Sequence, residues 1–401
     1  MKFALHMAIQ LRTVCLSAHL DSFCRRIDEL VDHRFELVYA DLPGAMRRKV
    51  GWNIEASYAN GPDSESARVR AARCDVLIDM LREFDIMERR VSTQKQTVYM
   101  CERWLKPLVL HGWRLPGILR LLVPRYFKMV RRLVRLMDDE HFILLPIGVH
   151  AVRDFVRLYK LLHGRLLCLF GAPKLAIDRR LGGAVEGFPR IRLWGYFVQP
   201  SDVAKKKNIR KRSEAKKILW VGRLLDLKRV DVLINAVRRI RGCSLVICGE
   251  GPERERLEKL AGEAKGEGLT WTPGKINFNG YVSNEQARAL MREADVYVMP
   301  SNAEEGWGAA VSEALSEGCP VISTYEAGSS ATLLQEECLF HADDISGLVE
   351  RLLTFSGNSA DCFTREWSGS RGAEILMEML GHENHKNGAK ERYLERFSRD
   401  T

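Results

Sequence analysis

Glu305 and Glu313 stand with seven residues between them, and Gly306-Trp307-Gly308 follows the first directly. Glycines at 306 and 308 suit the opening of a helix, whose free N–H groups and dipole hold phosphate, and they clear side chains from the approach. Two carboxylates beside an anion site make sense only where hydroxyl donors come between. Glu305, at the mouth, would accept hydrogen bonds from sugar hydroxyls. Glu313, about two turns deeper, would reach a ribose diol. A sugar nucleotide offers its groups in that order: hydroxyls, phosphates, hydroxyls.

Two cations stand upstream. Gly222-Arg223 turns the chain after the apolar run Ile218–Val221, and Lys228 follows at the opening of a helix. Arginine can fork onto two phosphate oxygens and lysine adds a point charge, so the pair suits a diphosphate. Alone it would be an ordinary surface pair. Gly249-Glu250-Gly251-Pro252 permits a sharp turn close to a ligand, and a plain strand-to-helix turn explains it equally well.

These residues need a frame at the carboxyl ends of strands, where open α/β sheets bind ligands. The second half supplies one. Strands are expected at Lys217–Val221, Leu245–Cys248, Ile276–Tyr281, Val296–Pro300 and Pro320–Thr324. Helices are expected at Val230–Ile240, Glu253–Lys265, Glu285–Glu293 and Ala309–Glu317. Strand and helix in alternation, with strands apolar throughout, make a doubly wound α/β domain with a parallel sheet. The first half reads as strands at Leu11–Ser17, Phe35–Tyr39, Val76–Leu81, Thr97–Met100 and His141–Ile147, with a helix near Ser22–Asp32.

A chain of 401 residues exceeds one ordinary core, which suggests two domains of roughly 150–200 residues each. We divide it into 1–200, a basic linker 201–215, 216–355, and a tail 356–401. The tail carries a helix near Arg371–Leu380 that packs back on the first domain. A charge of +10 and a pI near 9.1 favour anionic partners. The basic run Lys205–Lys217 lacks interleaved aromatics, which argues against nucleic acid. The ten cysteines form no close pair, against a zinc site or a disulfide scaffold and for buried thiols in a reducing compartment. No apolar stretch has the roughly 18 uncharged residues of a transmembrane helix. The N-terminus reads as the first strand of a cytoplasmic protein.

GRLLDLK at 222–228, GEGP at 249–252 and above all EEGWGAAVSE at 304–313 resemble the donor domain of GT-B glycosyltransferases, specifically the large retaining family 4 type. The resemblance runs from about Lys216 to Leu334. It implies two Rossmann-like, doubly wound domains facing a cleft. Arg223 and Lys228 would bind the diphosphate and ease its departure, Glu305 would contact the transferred sugar, and Glu313 would hold the ribose. Together with Arg223, Lys228 and Glu305 as the catalytic set, the donor site would take in Gly222, Glu250, Gly251, Gly306, Trp307, and the backbone near Gly308 and Ala309. Tyr281 and Val282, in FNGYVS, fall where the family packs the nucleobase. The resemblance implies no cofactor and no bound metal.

The first half resembles the family less: SAHLDSF at 17–23 replaces the glycine pair after the first strand. TVYMCERWLKP at 97–107 and RLWGYFVQP at 192–200 resemble a subset of bacterial polysaccharide glycosyltransferases. His19 and Glu102 are the acceptor-side candidates.

Residues 103–137 hold nine basic side chains and no acid, with Trp104, Trp113, Tyr126 and Phe127 among leucines and valines. That composition suits an anionic membrane surface, and equally a helix packed on its own domain with its arginines in water. Pro107, Pro116 and Pro124 exclude one long helix. The expected activity is transfer of a sugar from a nucleotide-diphosphate sugar to a saccharide or lipid-linked acceptor, in surface polysaccharide or glycolipid synthesis. The expected place is the cytoplasm, peripheral on the inner face of the plasma membrane. The alternative is a catalytically degenerate sugar-nucleotide-binding or carbohydrate-binding protein on the same fold.

Overall fold

The computed structural model describes residues 7–13, 18–40, 58–62, 64–110, 113–170, 175–198, 216–262, 275–354 and 367–383. The linker 201–215 lies outside them.

The first half builds one sheet in the order β3-β2-β1-β4-β5-β8-β10-β9. Its strands are β1 (Ile9–Thr13), β2 (Phe35–Tyr39), β3 (Ala59–Pro62), β4 (Val76–Asp79), β5 (Gln96–Cys101), β8 (Phe142–Pro146), β9 (Ala184–Val185) and β10 (Phe188–Arg192). Short β6 (Leu108–Leu110) and β7 (Trp113–Leu115) form a separate hairpin. All neighbours in the main sheet are parallel except β9 against β10. Continuous apolar strands such as Phe142–Pro146, buried at every position, are what helices on both faces require.

The first strand comes earlier than the sequence suggests. It spans Ile9–Thr13 rather than Leu11–Ser17, because Ile9 pairs with both Phe35 and Val76 and helix α1 (Ala18–Leu30) follows closely. Residues 14–17 lie outside the described ones. The helix buries Leu20, Phe23, Cys24 and Ile27 at helical spacing. Further helices are α2 (Glu65–Arg73), α3 (Phe84–Ser92), α4 (Pro124–Met137) and α5 (Val149–Leu162).

The described residues of the basic segment 103–137 fold into this domain. Pro124 opens α4, where its missing N–H costs nothing, and the helix buries Val130, Leu133, Val134 and Leu136. Arg132 pairs with Asp85 at 2.5 Å and Glu88 at 2.6 Å, Trp104 is buried, and the Tyr126 hydroxyl donates to the Trp104 carbonyl at 2.8 Å. Phe127 stays exposed, and the Trp113 side chain is not among those described.

The second half forms a six-stranded parallel sheet, order β13-β12-β11-β14-β15-β16. Its strands are β11 (Lys216–Val221), β12 (Cys243–Cys248), β13 (Lys275–Gly280), β14 (Val296–Met299), β15 (Val321–Thr324) and β16 (Leu339–Phe340). Numbered within the domain, this is the 3-2-1-4-5-6 order of dinucleotide-binding sheets, whose direction reverses between β11 and β14. The helices are α6 (Val230–Val237), α7 (Arg254–Gly262), α8 (Asn284–Glu293), α9 (Ala309–Ser316), α10 (Gly328–Leu333) and α11 (Ile345–Thr354). A capping box between Ser283 and Gln286 starts α8.

Helix α12 (Gly369–Glu383) crosses back to the first half and packs on α1. A Cβ at Gly369 would lie 2.5 Å from the Phe23 nitrogen, and one at Gly372 would overlap the Phe197 ring, so both glycines serve close approach. The described cysteines are free and, Cys74 apart, buried.

Candidate active site

The site lies where the strand order of the second sheet reverses, between β11 and β14. β11 ends at Val221 and β14 at Met299, and the loops leaving them carry the singled-out residues. The two loops are tied together: the Asn302 N–H donates to the Leu227 carbonyl at 2.9 Å, and the Glu305 N–H donates to the Asn302 carbonyl at 3.0 Å. This backbone lacing brings Lys228 Nζ onto Glu305 Oε2 as a hydrogen-bonded ion pair.

Burial drives the Glu305 carboxyl upward. The charge and hydrogen bond of Lys228, with Lys106 adding at longer range, outweigh burial and hold it below the ordinary carboxylate range. Lys228 ends a 3-10 turn, Asp226–Lys228, and not the opening of a helix. Left-handed Arg229 then turns the chain into α6. Arg223 is exposed beside them, with no ion pair or side-chain hydrogen bond recorded among the described residues.

Gly308, at φ +81°, caps α9; a Cβ there would lie 2.6 Å from the Met299 methyl. The N–H groups of Ala309 and Ala310, in the first turn, have no partner within the helix. Glu313 is half-buried two turns on, with no side-chain bond recorded among the described residues. Tyr297, which sequence reasoning passed over, ties the parts together. Its hydroxyl donates to the Val221 carbonyl at 3.2 Å, and burial, then Glu313 and Glu305, push its pKa well up. The charges of both carboxylates thus bear on one buried phenol. An aromatic inside the strand DVYVM was the only available signal.

Other singled-out residues take different positions. Gly249 and Gly251 serve contact between loops: a Cβ on either would overlap the carbonyl of Gly222 or Leu224. Glu250 pairs with Arg254. Tyr281 and Val282 follow β13, and the Tyr281 ring is exposed. The Trp307 side chain turns inward. It is 2% exposed, its indole N–H donates to Ser312 Oγ at 3.1 Å, and its ring packs on Trp367 and Tyr196. Only its backbone faces the loop.

From the first half, Glu102 reaches the loop that carries Gly306. It follows β5, pairs with Lys106 at 3.1 Å, and accepts from the Tyr196 hydroxyl at 3.3 Å. The carboxyl ends of both sheets therefore face one another. His19 lies in the first turn of α1; its side chain is not among those described. Among the described residues no three His, Cys, Asp or Glu are grouped to hold a metal ion.

Two doubly wound sheets meeting at their carboxyl ends make the GT-B fold. HepE of Anabaena in complex with UDP has it, with a TM-score of 0.61 at 13% identity over 94% of this chain and 100% of that one. The apo lipopolysaccharide outer core galactosyltransferase WaaB scores 0.59 at 14% identity, over 94% and 99%. Residues 202–361 match the family described as glycosyl transferases group 1.

Among curated relatives, the lipopolysaccharide core biosynthesis glycosyltransferase LpsE of Rhizobium meliloti is 33% identical over 43% of this chain and 47% of its own length. A GDP-mannose-dependent phosphatidylinositol monomannoside mannosyltransferase of Mycobacterium tuberculosis is 32% identical over 33% and 36%. The chain spans less than half the length of either relative.

Proposed function

We propose that this protein transfers a sugar, with retention, from a nucleotide-diphosphate sugar to a saccharide or lipid-linked acceptor. Surface polysaccharide or glycolipid synthesis is its setting. The observation that carries the reading is the Lys228–Glu305 ion pair between open Arg223 and the α9 N-terminus, with Glu313 deeper on that helix.

The donor replaces the pair by two better matches. Its phosphates take Lys228, Arg223 and the N–H groups of the first turn, while its sugar hydroxyls donate to Glu305 and its ribose to Glu313. The bond from the sugar's anomeric carbon to the phosphate oxygen breaks as the acceptor oxygen bonds to the same face, and the acceptor proton passes to the leaving phosphate. Positive side chains and the helix dipole stabilise the charge on the leaving group, and no bound metal takes part.

A thermal-shift screen against UDP, GDP, ADP and their sugar conjugates, with and without EDTA, tests this. A ligand at a hundredfold excess over its dissociation constant stabilises the native state by about 2.7 kcal/mol. One nucleotide family should raise the melting temperature, and EDTA should not reverse the rise. Folded protein that responds to none of them overturns the proposal.

A further inference from the structure

Apart from the residues of the proposed donor site, residues following α5 expose large apolar side chains in close succession. Leu166 is 67% exposed, Leu167 85%, Leu169 42% and Phe170 90%. Isolated exposed leucines need no explanation, but four in five residues form a patch of the kind that marks an interaction surface.

The patch is a built element. Residues Leu166–Leu169 form a 3-10 turn in which the Cys168 N–H donates to the Arg165 carbonyl at 3.0 Å and the Phe170 N–H to the Leu167 carbonyl at 3.2 Å. Arg157, on α5, clamps it from below, donating to the carbonyls of Cys168 and Leu169 at 2.6 Å each. Cys168 alone points in. The backbone is satisfied locally while the leucines and the phenylalanine are held out.

The surroundings are basic. A cavity of about 760 Å³ beside the turn is lined by Lys160, His163, Arg165 and Arg190 against Asp138 and Glu186. Asp138 is engaged by the Tyr159 hydroxyl at 2.6 Å. On α4, which packs against α5, Arg125, Lys128, Arg131 and Arg135 are exposed. No helix of the described residues is long and apolar enough to cross a membrane.

We propose that Leu166–Phe170 is a bilayer-docking turn, with Leu166, Leu167 and Phe170 entering the acyl boundary of an anionic leaflet and Arg165 and Lys160 at the level of the lipid phosphates. Apolar side chains with Lys160, Arg165 and Arg190 beside them match the two layers of such a surface. A symmetric contact between two copies would set the same cations against themselves, which disfavours self-association. The docking turn does not depend on the donor-site reading, since it shares no residue with it.

Sedimentation of the full chain with vesicles tests the assignment, using phosphatidylcholine alone or mixed with phosphatidylglycerol. The native protein should partition onto the mixed vesicles. The double substitution Leu167→Asp, Phe170→Asp should lower the partition coefficient about tenfold or more. Arg165→Glu should weaken binding to the mixed vesicles, and Leu167→Trp should preserve it. The melting temperature should hold throughout, because these side chains are exposed. Equal partition of native and double-substituted protein overturns the proposal. So does a loss in Leu167→Trp, or light scattering that shows a native dimer which the double substitution splits. Nucleotide-induced thermal shifts read the donor site separately, so failure of one reading leaves the other standing.

Discussion

The carboxylate of Glu102 occupies the space that a side chain at Gly306 would need: a Cβ built there would lie 2.8 Å from Glu102 Cδ. The end of β5 in one domain thus rests on the Gly306 loop of the other, braced by Lys106 and Tyr196. Gly306 therefore has a reason to lack a side chain that is independent of the proposed approach of phosphate to α9.

Gly306→Ala should push aside the far end of Glu102, a side chain about a third exposed, and loosen its bonds to Lys106 and Tyr196. A flexible side chain can give way, so the cost should fall below the roughly 1–3 kcal/mol of an overpacked core, read as a slightly lower melting temperature and slower transfer. The double variant Glu102→Ala, Gly306→Ala should recover much of the stability, giving a coupling energy between the two sites. Strictly additive effects in that cycle would show that the clash lies elsewhere.

Arg223 and Glu305 should separate affinity from turnover. Arg223 makes no recorded bond among the described residues, so Arg223→Ala should leave the unliganded melting temperature unchanged. Loss of charge-assisted bonds should weaken binding of the nucleoside diphosphate about 10- to 100-fold. Glu305→Ala should abolish transfer while sparing nucleoside diphosphate affinity, because it frees Lys228 for phosphate. Calorimetric titration beside transfer rates reads both, and near-normal turnover in either variant would refute the site assignment.

Much of the candidate site's arrangement was legible because its residues are local in sequence. Glu305, Gly308 and Glu313 lie on one loop and one helix, so spacing alone relates them. The inward turn of Trp307 was not legible, since its partners Tyr196 and Trp367 lie far along the chain. The same holds for Glu102 against Gly306. In the first strand, apolar Val14, Cys15 and Leu16 extend the pattern beyond Thr13, and only pairing with β2 and β4 places the strand two residues earlier.

Glu317 should prove a stability residue without a part in transfer. Its carboxylate is fully buried and takes Arg288 and Arg292 of α8 at 2.5 Å each, which fastens α8 to the end of α9. Removing one partner of a buried pair costs about 3–5 kcal/mol, and the partly exposed arginines place this case near the lower end. Glu317→Ala should lower the melting temperature clearly, while the surviving folded protein keeps its nucleotide affinity. An unchanged melting temperature would show that the arginines find water at no cost.

His150 should make the contact between the halves sensitive to acid. It stands on α5 with Nε2 at 2.7 Å from the Tyr325 carbonyl, while neighbouring Arg153 donates to the Tyr325 hydroxyl. Burial lowers its pKa from 6.5 to about 4; the carbonyl opposes the shift and Arg103 and Arg153 reinforce it. The folded protein therefore keeps the ring neutral where the unfolded chain binds a proton. That stabilisation is present in full above pH 6.5 and drains away as pH falls toward about 4. The loss over this window is on the order of 3 kcal/mol. His150→Gln can still donate to the carbonyl and does not titrate, so its melting temperature should fall less steeply between those pH values. Parallel curves for the two proteins would place the acid sensitivity in other groups.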